Sequence, residues 1–248
     1  MVSNTATGHD GGGIYASQPL ILSGATISGN VSTAGSGGGL AFWSPGQGLT
    51  VTDSLFAFNV AGGTNNGGGV QIQGIGLFTN TTLYSNTAYT GGGIFIYGTP
   101  GSYFQNVTAI SNTATNPNGS YGGDIYNAGF YPLYVRNTII AGGWPNNCKG
   151  TVTSLGNNIS SDLSCLLTAA LSDAENIDPR LGPFQNTSGA TSSLVPYFFS
   201  PAVNRGNNAS CPTTDQRGLP RPVQGACDIG ATEYQGFAGR VYVPAAVK

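Results

Sequence analysis

The chain has 248 residues, 7% of them charged, and a formal net charge of −2. Eight Lys plus Arg over that length exclude the basic footprint of a nucleic-acid binder. A 39% hydrophobic fraction with 12 Tyr and 11 Phe excludes a disordered chain, and no run of about 20 apolar residues is present to span a membrane.

The N-terminus, Met1-Val2-Ser3-Asn4, lacks the basic and apolar stretches of a signal peptide. Two motifs then alternate to residue 142. One is a glycine run followed by an aliphatic residue: Gly11-Gly12-Gly13-Ile14, Gly37-Gly38-Gly39-Leu40, Gly67-Gly68-Gly69-Val70, Gly91-Gly92-Gly93-Ile94, and the variant Gly122-Gly123-Asp124-Ile125. The aliphatic positions are 26, 30, 24 and 31 residues apart (14 to 40, 40 to 70, 70 to 94, 94 to 125). The other motif is an eleven-residue segment ending at Asn30, Asn59, Asn86 and Asn112. A fifth copy ends at Gly142, and a partial first one ends at Asn4. A repeat of this length that cannot bury its own apolar face predicts an all-β solenoid, a parallel β-helix.

Period-two alternation within each coil predicts strands. Residues 14, 40, 70, 94 and 125 should point inwards. So should the columns Leu22, Val51, Phe78, Phe104, Tyr134 and Ile27, Phe56, Leu83, Ala109, Ile139. The glycines should form a corner, where φ is positive or two backbones approach closely. Asn4, Asn30, Asn59, Asn86 and Asn112 should stack as a structural ladder at another corner, since Asn tolerates the left-handed region and its amide can bond the next coil. Val2 to Ala6 match the end of an Asn segment whose strand is missing. The first coil should therefore expose an edge that self-associates, head to head or end to end.

After Gly142 the period fails. The cysteines form two local pairs, Cys148 with Cys165 and Cys211 with Cys227, without metal-site spacing. They predict two disulfides and an oxidising compartment. Residues 163–175 hold the only plausible helical turns. The chain therefore divides into coils at 1–142, terminal coils and an irregular cap at 143–235, and a tail at 236–248.

Four cap segments carry a family likeness: Asp178-Pro179-Arg180-Leu181-Gly182-Pro183, Ser200-Pro201-Ala202-Val203, Asp215-Gln216-Arg217-Gly218-Leu219-Pro220-Arg221, and Cys227-Asp228-Ile229-Gly230-Ala231 with Glu233-Tyr234. They resemble the C-terminal module of choice-of-anchor Q proteins, which are secreted or surface proteins of bacteria. The coils resemble the repeats of polymorphic outer-membrane proteins. The likeness implies a right-handed parallel β-helix and a secreted or cell-surface location. The family has no common catalytic residues to carry over.

Many parallel β-helices cleave polysaccharides, a chemistry that needs neighbouring carboxylates. Here Asp10, Asp53 and Asp124 are scattered over the coils, and His9-Asp10 lies at the terminus. Asp215 with Arg217, and Arg221 with Asp228, read as structural ion pairs. An ice-binding face would need regular Thr columns, but Thr5, Val31, Val60, Thr87, Thr113 and Thr7, Thr33, Gly62, Tyr89, Thr115 are interrupted. The expected function is an extracellular structural or adhesive module rather than an enzyme, with no cofactor and no metal. A polysaccharide-active enzyme is the alternative, and an ice-binding solenoid a lower one. The candidate carbohydrate-binding face is Tyr15, Trp43, Gln71, Phe95, Tyr97 and Tyr126, unless these residues only cover their neighbours on the same face.

Overall fold

Each coil carries inward residues that no single coil can bury, so the coils stack. In the computed structural model, which describes residues 1–98, 101–119 and 121–236, they form a β-solenoid of about five turns. All strand pairings within its two sheets are parallel. One sheet has 14 strands. The other has five short strands: Thr5–Ala6, Val31–Ser32, Val60–Ala61, Thr87–Ala88 and Thr113–Ala114. Helix is nearly absent.

Register follows the glycine motifs. Ile14, Leu40, Val70, Ile94 and Ile125 lie opposite one another in successive coils, and Cys148 continues the row. Leu22, Val51, Phe78 and Phe104 form the second inward row. Phe42, Phe56, Phe78 and Phe104 are among the largest fully buried side chains, each worth about 2 kcal/mol by area removed from water.

The fifth coil departs from expectation by one residue. Phe104 faces Val135, not Tyr134, and Ala109 faces Ile140, not Ile139. Aligning Gly142 with Asn112 causes the slip, because the corner position belongs to Gly143. A one-residue slip turns every side chain to the opposite face. Tyr134 therefore stacks outside on Tyr103, with ring centroids 4.8 Å apart. Ile139 joins a second apolar cluster with Ala202 and Ile229.

The glycine corner uses both properties expected of it. Gly37 has φ +68°, and a Cβ on Gly38 would lie 2.4 Å from the Val60 carbonyl carbon of the next coil. At the Asn corner the left-handed conformation falls on the preceding residue (Ser3, Gly29, Phe58, Ser85 and Ser111) and not on the ladder Asn itself. A further left-handed column runs through Gly24, Asp53, Asn80, Asn106, Asn137 and Asn157.

Both expected disulfides are present, Cys148–Cys165 and Cys211–Cys227. The expected cap divides into two parts. Asn146–Gly150, Val152–Ser154 and Ile159–Ser160 complete a last coil, and residues 161–177 lie over it. There Cys165 and Leu167 join the core, and Ala174 bridges to Ile159. The expected helical stretch contains only the 3-10 turn Ala169–Leu171. Residues 178–235 do not hide the last coil. They lie along the flank, because the left-handed Asn column offers amides that need partners. Asn80 Nδ2 donates to Thr214 O at 2.8 Å, Gly230 N to Asn137 O at 2.8 Å, and Ala231 N to Thr108 Oγ1 at 3.0 Å. The tail assigned to 236–248 lies, after Gly236, outside the described residues.

Candidate functional site

The expected binding face comprises two outward columns. Tyr15, Ala41, Gln71, Phe95 and Tyr126 align in one. Trp43 lies opposite Gln73 in the next, and Tyr97 follows the adjacent strand, where its amide donates to Ile72 O. The structure corrects two members. Gln71 and Phe95 are buried at 6% and 8% relative exposure, because neighbours about 4.8 Å above and below cover them. Phe95 meets Tyr126 edge-on at 5.2 Å, and Tyr121 covers Tyr126 in turn at 5.5 Å. Tyr15, Trp43 and Tyr97 remain exposed.

The Asn ladder is continuous. Asn4, Asn30, Asn59 and Asn86 each donate backbone N and Nδ2 to the same Oδ1 of the next ladder Asn. The side-chain bonds measure 2.8, 2.9, 2.9 and 2.9 Å, and Asn30, Asn59, Asn86 and Asn112 have no exposed surface. The last rung is not an Asn. Asn112 donates N and Nδ2 to Asp124 Oδ1, at 3.1 and 2.7 Å. Burial pushes the Asp124 carboxyl up to about 8. Oδ2 of Asp124 has no hydrogen-bond partner among the described residues.

A second ladder was not anticipated from the repeats. Thr138 N donates to Asn158 Oδ1, and Asn158 donates N and Nδ2 to Asp173 Oδ1 at 2.8 and 2.9 Å. Its rungs change residue type, so only the shared corner geometry identifies it.

The flank segment is built on buried charge. Arg217 pairs with Asp215 at 2.7 Å, as expected. Arg221 pairs with Glu233 at 3.0 Å, not with Asp228, and also donates to Asn80 Oδ1 of the solenoid. Asp228 instead accepts the amides of Asn204 and Tyr234. Burial, reinforced by Glu233, raises its carboxyl to about 7. These carboxylates fix turns by accepting backbone N–H groups, a use that leaves them committed within the fold.

The scattered acids stay scattered. Asp10 accepts the Ser36 amide, and Asp53 accepts Asn80 Nδ2. Burial raises Asp53 above the usual carboxylate range, with Asp215 adding to the rise. Among the described residues no group of three or more His, Cys, Asp or Glu is arranged to hold a metal ion, and no helix is long and apolar enough to cross a membrane. A groove of about 890 Å³ opens in the flank segment, between Asp178, Arg180, Tyr197, Phe199 and Arg217. Its walls come from aperiodic stretches, which is why pattern reading missed it.

A scan against protein-family models finds no match, and searches of curated proteins and of solved structures find none either.

Proposed function

We propose that the chain is an extracellular or cell-surface structural module, a rigid spacer with an adhesive side. The observation that supports this best is the unbroken buried Asn ladder. Its rungs are spent on holding coils together, and two disulfides and a flank segment spanning several coils reinforce it. Disulfides suit an oxidising compartment. The choice-of-anchor Q likeness of the flank segment supports a secreted, bacterial setting for this reading. Exposed Tyr15, Trp43 and Tyr97 supply the adhesive side, with carbohydrate as the ligand class, because sugar rings stack on aromatic faces.

A glycan array with the intact chain tests the adhesive side. Retention on one carbohydrate class, lost in the Trp43→Ala/Tyr97→Ala double variant, is the expected result. Sustained release of reducing or unsaturated ends from a polysaccharide, abolished by one Asp→Asn change, would replace this reading with an enzyme.

A further inference from the structure

Two successive coils are very unequal at one corner. Twelve residues lead from Thr113 to Ile125 (113 to 125), whereas their partners in the next coil, Trp144 and Cys148, are four apart (144 to 148). The long loop therefore overhangs a coil that has almost none. Between them lies a pocket of about 280 Å³, whose walls include Thr113, Asn116, Pro117, Gly119, Trp144 and Pro145.

Backbone bonds hold both walls. Trp144 N donates to Asn112 O at 2.9 Å, and Ala114 N donates to Trp144 O at 2.7 Å. Trp144 thereby follows Thr5, Val31, Val60, Thr87 and Thr113 in one outward column, and its side chain is 67% exposed. On the loop side, Thr115 N donates to Ala88 O at 2.8 Å and Asn116 N to Tyr89 O at 3.1 Å.

Asn116 carries the chemical information. It is 6% exposed, yet its carboxamide makes a single bond, with Oδ1 accepting Asn118 N at 3.0 Å. That backbone donor identifies the oxygen, so Nδ2 is the free end. Nδ2 meets no acceptor among the described residues. A donor so nearly buried is costly to leave unpaired. Among the described residues, no charged side chain lines the pocket.

A ligand for this pocket has to offer an acceptor to Asn116, an apolar face to Trp144, and no charge. A hydrocarbon fails the first condition, and a uronic acid or a phosphate fails the third. A neutral hexopyranose meets all three. Its hydroxyls accept, the C–H side of its ring stacks on an aromatic face, and the volume suits one ring rather than a chain. We infer that the pocket binds a single neutral hexose, as a glycan end or branch, with Trp144 as the stacking wall and Asn116 Nδ2 as the donor. This inference rests on the adhesive reading and gives it a second carbohydrate site, apart from the face of Tyr15, Trp43 and Tyr97.

The chain has two tryptophans, so in the Trp43→Phe variant the indole fluorescence reports Trp144 alone. Titration with the methyl glycosides of glucose, galactose and mannose should give a saturable change with at least one of them, and none with methyl glucuronide. By calorimetry, Trp144→Ala should abolish that binding. Asn116→Asp keeps the acceptor for Asn118 and removes the free donor. It should weaken binding about tenfold, as for loss of one buried hydrogen bond, with unchanged circular dichroism. No response to any neutral glycoside, an equal response to methyl glucuronide, or undiminished affinity in Asn116→Asp overturns the inference. On a glycan array, retention that survives Trp144→Ala and is lost in Trp43→Ala/Tyr97→Ala also overturns it, while leaving the adhesive reading standing. Retention lost in Trp144→Ala and kept in the double variant supports the inference and removes the outer face from that reading.

Discussion

Asp124 occupies space that Gly143 leaves empty: a Cβ on Gly143 would stand 2.7 Å from Asp124 Oδ2. In the earlier coils the corner holds an Asn and the facing strand a Gly, as with Asn112 and Gly93, where a Cβ would lie 3.0 Å from the Asn side chain. In the fifth coil the large and small residues have changed places. The ladder passes through the same point in space, supplied from the opposite strand.

This exchange predicts a pH effect. The carboxyl of Asp124 titrates near 8 in the fold, against a usual 3.8. The folded state therefore holds the proton more tightly. The resulting stability is fully present below about pH 4 and is lost as pH rises towards 8. Asp228 acts in the same direction up to about 7. Thermal unfolding should show Tm falling between pH 4 and 8, with a flatter profile and a higher Tm at pH 8 for Asp124→Asn. An unchanged slope in that variant would refute the assignment.

Within the ladder, Asn86→Leu removes donors to Asn112 and Phe56 and the acceptor used by Asn59. With each net bond worth about 1 kcal/mol, the loss should be about 3 kcal/mol in urea unfolding. A loss below about 1 kcal/mol would mean that the ladder is ornamental rather than structural.

The two faces of one strand should respond differently. Ile94→Asp places an unpaired charge in a fully buried row and should cost about 4 kcal/mol or more. Tyr126→Ala removes edge contacts with Phe95 and Tyr121 and should cost about 1 kcal/mol. Equal losses by circular dichroism would contradict the inward and outward assignment.

Arg221→Met removes the charged partner of Glu233 in a site without solvent, leaving it the backbone amides of Val223 and Asp228. Breaking a buried pair from one side should cost about 3–5 kcal/mol, and adding Glu233→Leu should recover part of it. If the double variant is no more stable than Arg221→Met, the pair is not the relevant unit.

Residues in the repeats were legible because period and corner chemistry coincide there. The row from Ile14 to Ile125 and the rungs from Asn4 to Asn112 needed only spacing. Legibility failed where one residue type replaced another at a fixed place in space. Asp124 entered from the facing strand, and Gly143 hid the register of Tyr134 and Ile139. Burial of Gln71 and Phe95 was missed because alternation assigns a face but not what covers it. Sequence alone suggests an end cap for the flank segment, because an aperiodic stretch gives its composition and not its destination. The partner of Arg221 is hidden for the same reason: Asp228 is nearer in sequence, and Glu233 is the carboxylate at 3.0 Å.

The flank segment has a mechanical consequence. Phe184 stacks on Tyr84 and packs against Phe58, while residues beyond it bond Asn80, Asn106 and Asn137, and Arg205 accepts from Asn157. A bare solenoid pulled from its ends peels coil by coil, since each coil touches only its neighbours. Here one strap is fastened to successive coils from Phe58 to Asn157, so the load is shared among them and they should rupture together. The coil ahead of Phe58 should yield first and at lower force. Such a rod stretches in two steps: a soft leader, then a stiff body that gives way all at once.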